Sequence, residues 1–74
     1  MQFLYVWHTR VGLFYIGEQD GRFHAIFDDE SLGSYARADQ AADDLAGGHT
    51  FTPSCGATAE LGIPDSVAEW EGIR

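Results

Sequence analysis

Three histidines, one cysteine and twelve carboxylates are the side chains in this 74-residue sequence with the chemistry to hold a metal or attack a bond. Their types and spacing argue against both. A structural zinc site takes about four N or S ligands at short spacings. His8, His24 and His49 instead fall on a turn, a strand and a loop, and only His49 and Cys55 are close in sequence, with no second cysteine beside them. A nucleophilic thiol needs a base and an electropositive niche, and Pro53-Ser54-Cys55-Gly56 brings no positive charge. Cys55 therefore reads as buried or idle. Glu18-Gln19-Asp20-Gly21-Arg22 has the acid content of a calcium loop, but it lacks alternating ligands and a closing glutamate and lies between strands. Carboxylate pairs for sugar hydrolysis need a cleft that a domain this small rarely encloses. Gly17, Gly21 and Gly33 are spaced as turn and strand punctuation and do not make a phosphate loop. The expectation is no enzyme: no catalytic residue, no metal and no cofactor.

What remains is charge. Twelve Asp and Glu face four Arg and no Lys, for a net charge of −8. A small compact domain holds that many like charges against their mutual repulsion. Binding to a phosphate backbone depends on Lys and Arg, and Arg10, Arg22, Arg37 and Arg74 form no stripe. Direct contact with nucleic acid or with an anionic membrane is therefore not expected. Ten of the carboxylates gather in three groups: Asp28, Asp29 and Glu30; then Asp39, Asp43 and Asp44; then Glu60, Asp65, Glu69 and Glu71. The first two groups are joined by a short connection, so one continuous negative face is expected. Asp28, Asp29, Glu30, Asp39, Asp43 and Asp44 are thus the candidate partner-binding residues, with carboxylates where phosphates would sit on a basic surface. A merely solubilising face accounts for the same residues.

These groups must be positioned by the elements around them. Gln2 to His8 is rich in β-formers, and strict alternation puts Phe3, Tyr5 and Trp7 on one side with Leu4 and Val6 on the other. Both sides are apolar, which suggests a central strand covered on both faces. His8 to Gly12 is a turn, and Leu13 to Glu18 a second strand. Asp20-Gly21 between apolar runs marks a type I′ hairpin, because Asp tolerates and Gly favours the positive φ it requires. Arg22 to Phe27 is a third strand, Asp28-Asp29-Glu30 a turn, and Ser31 to Tyr35 a short fourth strand.

Beyond Ala36 the period changes. Ala38, Ala41, Ala42 and Leu45 fall on one helical stripe, closed by Gly47-Gly48. Asp39 in the first turn complements the helix dipole, whereas Asp43 and Asp44 oppose it. His49 to Gly62 reads as a loop wrapped over the sheet and pinned by Phe51 and Leu61. Ile63-Pro64-Asp65 then opens a short last helix that docks through Trp70. The fold class expected is α+β: a three- or four-stranded antiparallel β-meander, one amphipathic helix packed on it, and a short C-terminal helix.

An apolar content of 45% with five Phe, three Tyr and two Trp supports one globular domain over residues 1–74. A single cysteine excludes an intrachain disulfide and suits a reducing compartment. No signal-peptide pattern and no apolar run of about 18 residues is present. A cytoplasmic protein is expected.

Leu32-Gly33-Ser34-Tyr35 followed by Asp39-Gln40-Ala41-Ala42 resembles the last strand and the helix opening of domains of the plant AP2 and integrase N-terminal type, over residues 11–45. That resemblance implies a ββ(β)α layout. Those domains read DNA with basic and aromatic residues on the sheet, where this chain has only Arg10 and Arg22. Over nearly its whole length the chain is also similar to short uncharacterised bacterial proteins, through Leu32-Gly33-Ser34-Tyr35, residues 40–51 (QAADDLAGGHTF), Leu61-Gly62-Ile63-Pro64 and Glu69-Trp70. That resemblance brings no activity with it. In size, acidity and lack of catalytic groups the chain is similar to phage-encoded inhibitors, anti-CRISPR proteins among them.

Together these readings point to a non-catalytic acidic module that docks on a basic surface of a nucleic-acid-handling protein, such as a CRISPR effector subunit, as a monomer or weak homodimer. The alternatives are a housekeeping or toxin–antitoxin accessory protein, and a small-ligand or enzymatic domain using His24 and the aromatics of an open sheet face.

Overall fold

A computed structural model describes residues 1–73. Four strands come first: β1 (Gln2–Thr9), β2 (Gly12–Gln19), β3 (Arg22–Phe27) and β4 (Glu30–Tyr35). The helix α1 (Ala38–Gly47) follows, then two 3₁₀ turns at Thr58–Glu60 and Val67–Glu69, and a last strand, β5 (Glu71–Gly72). The sheet runs β4-β3-β2-β1-β5, and every pairing is antiparallel. The architecture is α+β, as expected, with five strands where three or four were anticipated.

Local chemistry explains the hairpins. Asp20 and Gly21 take φ of 55° and 78°, the two left-handed residues a type I′ turn demands. The β1–β2 turn is clamped by Thr9, whose Oγ1 donates to the Gly12 carbonyl at 2.8 Å and accepts from the Val11 amide at 3.2 Å. The β3–β4 turn shortens to Asp28-Asp29, with Asp28 at φ 57°, so Glu30 joins β4 and pairs with Phe27.

One irregularity redirects a side chain. Phe3 pairs with Gly17 but Tyr5 pairs with Ile16, so β1 carries a bulge at Leu4. The bulge breaks the alternation read from the sequence. Tyr5 and Trp7 share a face with Phe14 and Ile16, whereas Phe3 crosses to the opposite face and stacks on Tyr15 with ring centroids 4.7 Å apart. Gly17 accommodates this, since Met1 and Phe3 occupy the space a Cβ there would fill.

The helix lies on the face that carries Phe14, Ile16, Ala25 and Phe27. Ala41, Ala42 and Leu45 are fully buried against these residues, Leu32, Ile63 and Trp70. Alanines at the contact let the helix axis come close, and Phe14 and Phe27 fill the end of the layer with centroids 4.7 Å apart. Gln40 Oε1 accepts the Arg37 amide at 3.1 Å to open the helix. A Schellman arrangement closes it: Gly48 is left-handed at φ 74°, His49 N–H donates to Asp44 O at 2.9 Å and Gly48 N–H to Leu45 O at 3.3 Å.

Past the helix the structure departs from the sequence reading. Phe51 does not pin the loop; it is 76% exposed, and its backbone amide instead donates to Leu32 O at 3.0 Å. The anchors are buried Pro53, Thr58 and Ile63, with Leu61 packed against the core. No C-terminal α-helix forms among the described residues. Ser66 caps a single 3₁₀ turn by accepting from the Ala68 amide at 3.3 Å, and Trp70 is already extended. Three residues cannot repay helix nucleation, while Trp70 gains by burial, its indole donating to Pro64 O at 3.0 Å. That leaves Glu71 and Gly72 paired with Val6 and Tyr5. The expected two-sided covering of β1 also fails, because helix and loops lie on one face only.

Candidate functional site

All twelve carboxylates lie outside the core, nine exposed and three, Glu18, Glu30 and Asp44, half-buried. Cations close to them are few. Among the described residues the ion pairs are His8 with Glu71 at 3.7 Å and Arg37 with Asp39 at 4.0 Å, both solvent-exposed. Pairs of that kind contribute little to stability.

The six candidate residues divide by what they touch. Glu30 is tied into the fold: its Oε2 accepts from Ser54 Oγ at 2.6 Å and its Oε1 from the Ser54 amide at 3.2 Å, holding the loop against β4. Asp39 Oδ1 accepts from the Val67 amide at 3.3 Å and anchors the second 3₁₀ turn to α1. Asp44 is not fully presented on the continuous negative face that was expected; it is half-buried beside Tyr35. Burial, and then the hydrogen bond and negative charge of Asp44, push the Tyr35 phenol up to about 12. Asp28 and Asp29 stand exposed on the β3–β4 turn and Asp43 on the helix, with no hydrogen-bond partner or ion pair among the described residues. Three of the six thus have a structural task that the sequence did not reveal, and three are simply presented to solvent.

The histidines remain apart. His8 is on β1 beside Glu71, His24 is on β3 and His49 follows the helix over Gly47. Among the described residues no three His, Cys, Asp or Glu converge on a point where a metal could sit. Cys55 is half-buried, its Sγ 3.9 Å from the Gly56 carbonyl.

The second face of the sheet has no layer over it. Cross-strand partners point the same way, so this face carries Phe3, Val6, Leu13, Tyr15, His24 and Ile26. Val6 and Ile26 are buried by their neighbours, while Met1, Phe3, Val11 and Leu13 remain 37–53% exposed. Phe3, Val11, Leu13 and Tyr15 line a shallow concavity of about 360 Å³ that ends at Asp28. Arg22, at the edge of the face, donates its Nε–H to Ser34 Oγ at 3.0 Å. Among strand positions here only Glu71 is acidic, and it sits against His8.

No family model, no curated protein and no solved structure matches the chain. Function must come from the surfaces themselves. Among the described residues no helix is long and apolar enough to cross a membrane. The sequence allowed an open sheet face with His24 on it but did not say which residues of β1 line it, because both alternating sets are apolar; the small Gly17 opposite Phe3 was the available signal.

Proposed function

We propose that this chain is a non-catalytic, cytoplasmic protein-binding module that docks through exposed carboxylates on a basic surface of a nucleic-acid-handling protein, in the manner of an anti-CRISPR or similar mobile-element inhibitor. The observation that carries this reading is the placement of acid: no carboxylate is buried, and among the described residues only Asp39 has an arginine, and Glu71 a histidine, within ion-pair distance. Such a field steers a positively charged partner into encounter and disfavours an anionic one. Of the six candidates, Asp28, Asp29 and Asp43 are the ones free to take phosphate positions, since none is tied into the fold.

The test is affinity capture from a bacterial lysate at low and high salt, followed by competition with duplex DNA. The expected result is a Lys- and Arg-rich partner that is lost at high salt and displaced by DNA. The combined variant Asp28→Asn, Asp29→Asn and Asp43→Asn should capture less of it while keeping its circular dichroism. Undiminished capture by that variant, or no salt-sensitive partner at all, sinks the reading.

A further inference from the structure

We propose that the open face of the sheet joins two copies of this chain in a symmetric, reversible dimer. Exposed apolar residues grouped on one surface mark interaction sites more often than scattered ones do, and here Met1, Phe3, Val11 and Leu13 stand exposed around the Phe3–Tyr15 stack. Charge identifies the occupant. Two bodies of net charge −8 repel within a screening length, and they approach at least cost where carboxylates are fewest. This face is that place: its strand positions carry apolar residues, the uncharged Gln19, Ser31 and Ser34, then Arg22, His24 and a single acid, Glu71, whose neighbour is His8. Asp20 and Asp28 stand only in the turns at its ends. A strongly basic partner, which the rest of the surface attracts, finds almost no acid to engage here. A second copy brings the same low-charge apolar surface, which is what an isologous contact needs.

Size sets the strength. The broad side of the molecule is bounded by 29 × 21 Å. That caps the contact at roughly 600 Å² per copy and roughly 1,200 Å² in all, so it lies at most at the lower end for specific interfaces. A dimer that dissociates on dilution follows. In it both helices face outward, leaving Asp43 of each copy exposed. The dimer does not depend on the partner proposed above.

Sedimentation equilibrium over a concentration series at low and high salt decides the matter. The mass should climb from 8.1 kDa toward twice that value, and should climb further at high salt, which screens the repulsion. Capture of a basic partner should respond to salt in the opposite direction, so the two ideas fail separately. Leu13→Glu should hold the protein at the monomer mass throughout, and Phe3→Glu should do the same; both side chains are partly exposed, and circular dichroism reports whether each variant folds. The combined Asp28→Asn, Asp29→Asn and Asp43→Asn variant should dimerise at least as well as wild type. A mass of 8.1 kDa at every concentration and salt overturns the proposal. So does a dimer that survives both Leu13→Glu and Phe3→Glu.

Discussion

Thr58 donates its hydroxyl to the carbonyl oxygen of Leu45 at 2.6 Å, joining the loop to the last turn of the helix. Among the described residues it is the buried polar one, 2% exposed. Leu45 O also receives the Gly48 amide, at a longer 3.3 Å. Thr58→Val therefore removes one hydrogen bond without leaving the carbonyl wholly unpartnered. The expected loss is about 1 kcal/mol, near the net worth of one hydrogen bond and below the cost of a fully orphaned group. Urea unfolding should show a lower midpoint with an unchanged slope. No change in midpoint would mean that the loop is held by its apolar anchors alone.

Gly48 closes the same helix in the left-handed region, and a Cβ there would meet Ala59 Cβ at 2.9 Å. Gly62 is also left-handed, at φ 70°, but has open space around it. Gly62→Ala should cost about 1–2 kcal/mol from backbone strain alone, and Gly48→Ala should cost more. Adding Ala59→Gly to Gly48→Ala should recover the difference. Equal thermal shifts for the two single variants would show that the helix end moves aside freely.

Trp70 connects the core to the last strand. It is buried, donates to Pro64 O and lies 6.5 Å from the Trp7 ring. Trp70→Ala is expected to cost about 3–5 kcal/mol, a large part of the stability of a domain this size. Hydrogen exchange should lose protection first at the Ile73 amide, which donates to Leu4 O at 2.8 Å. Retained protection there would show that β5 holds without its anchor.

Tyr35 gives the fold an alkaline limit. Its pKa is raised from 10.0 to about 12, first by burial and then by Asp44. The folded state thus favours the neutral phenol. Its contribution is fully present below pH 10.0 and is lost as pH rises to about 12. Tyrosinate absorbance should show a late phase near pH 12 that Tyr35→Phe removes. Asp44→Asn should move that phase only part of the way down, because burial is the larger cause. A titration with no phase above pH 11, about one unit past the reference value, would contradict this environment.

Much of the scaffold was legible because its causes are local. Asp20-Gly21 specifies its turn through the φ values those two residues tolerate. Ala38, Ala41, Ala42 and Leu45 specify a helix and its inner face through spacing alone, and Gly48 stops it one residue after Gly47. β5 was not legible, since Glu71-Gly72 has no strand pattern of its own and is extended only because Trp70 and Ile73 are bound to distant residues. The roles of Glu30, Asp39 and Asp44 were hidden for the same reason. Their partners Ser54, Val67 and Tyr35 lie 24, 28 and 9 positions away, and an acidic residue in a sequence carries no mark of which amide or hydroxyl it will meet.

The division is clearest at Phe3. Composition and order already dictate an acidic, helix-on-sheet domain with a tight second hairpin, because each of those properties depends on near neighbours or on a simple count of charges. Which way Phe3 points depends on the bulge at Leu4, which arises only when β1 is laid against Gly17 and Ile16 of β2. With apolar residues on both alternating sets of β1, either register of faces satisfies the local pattern. Pairing with the neighbouring strand and docking of the helix on Phe14 and Ile16 choose between them, and that choice leaves Phe3 and Tyr15 stacked on the open side.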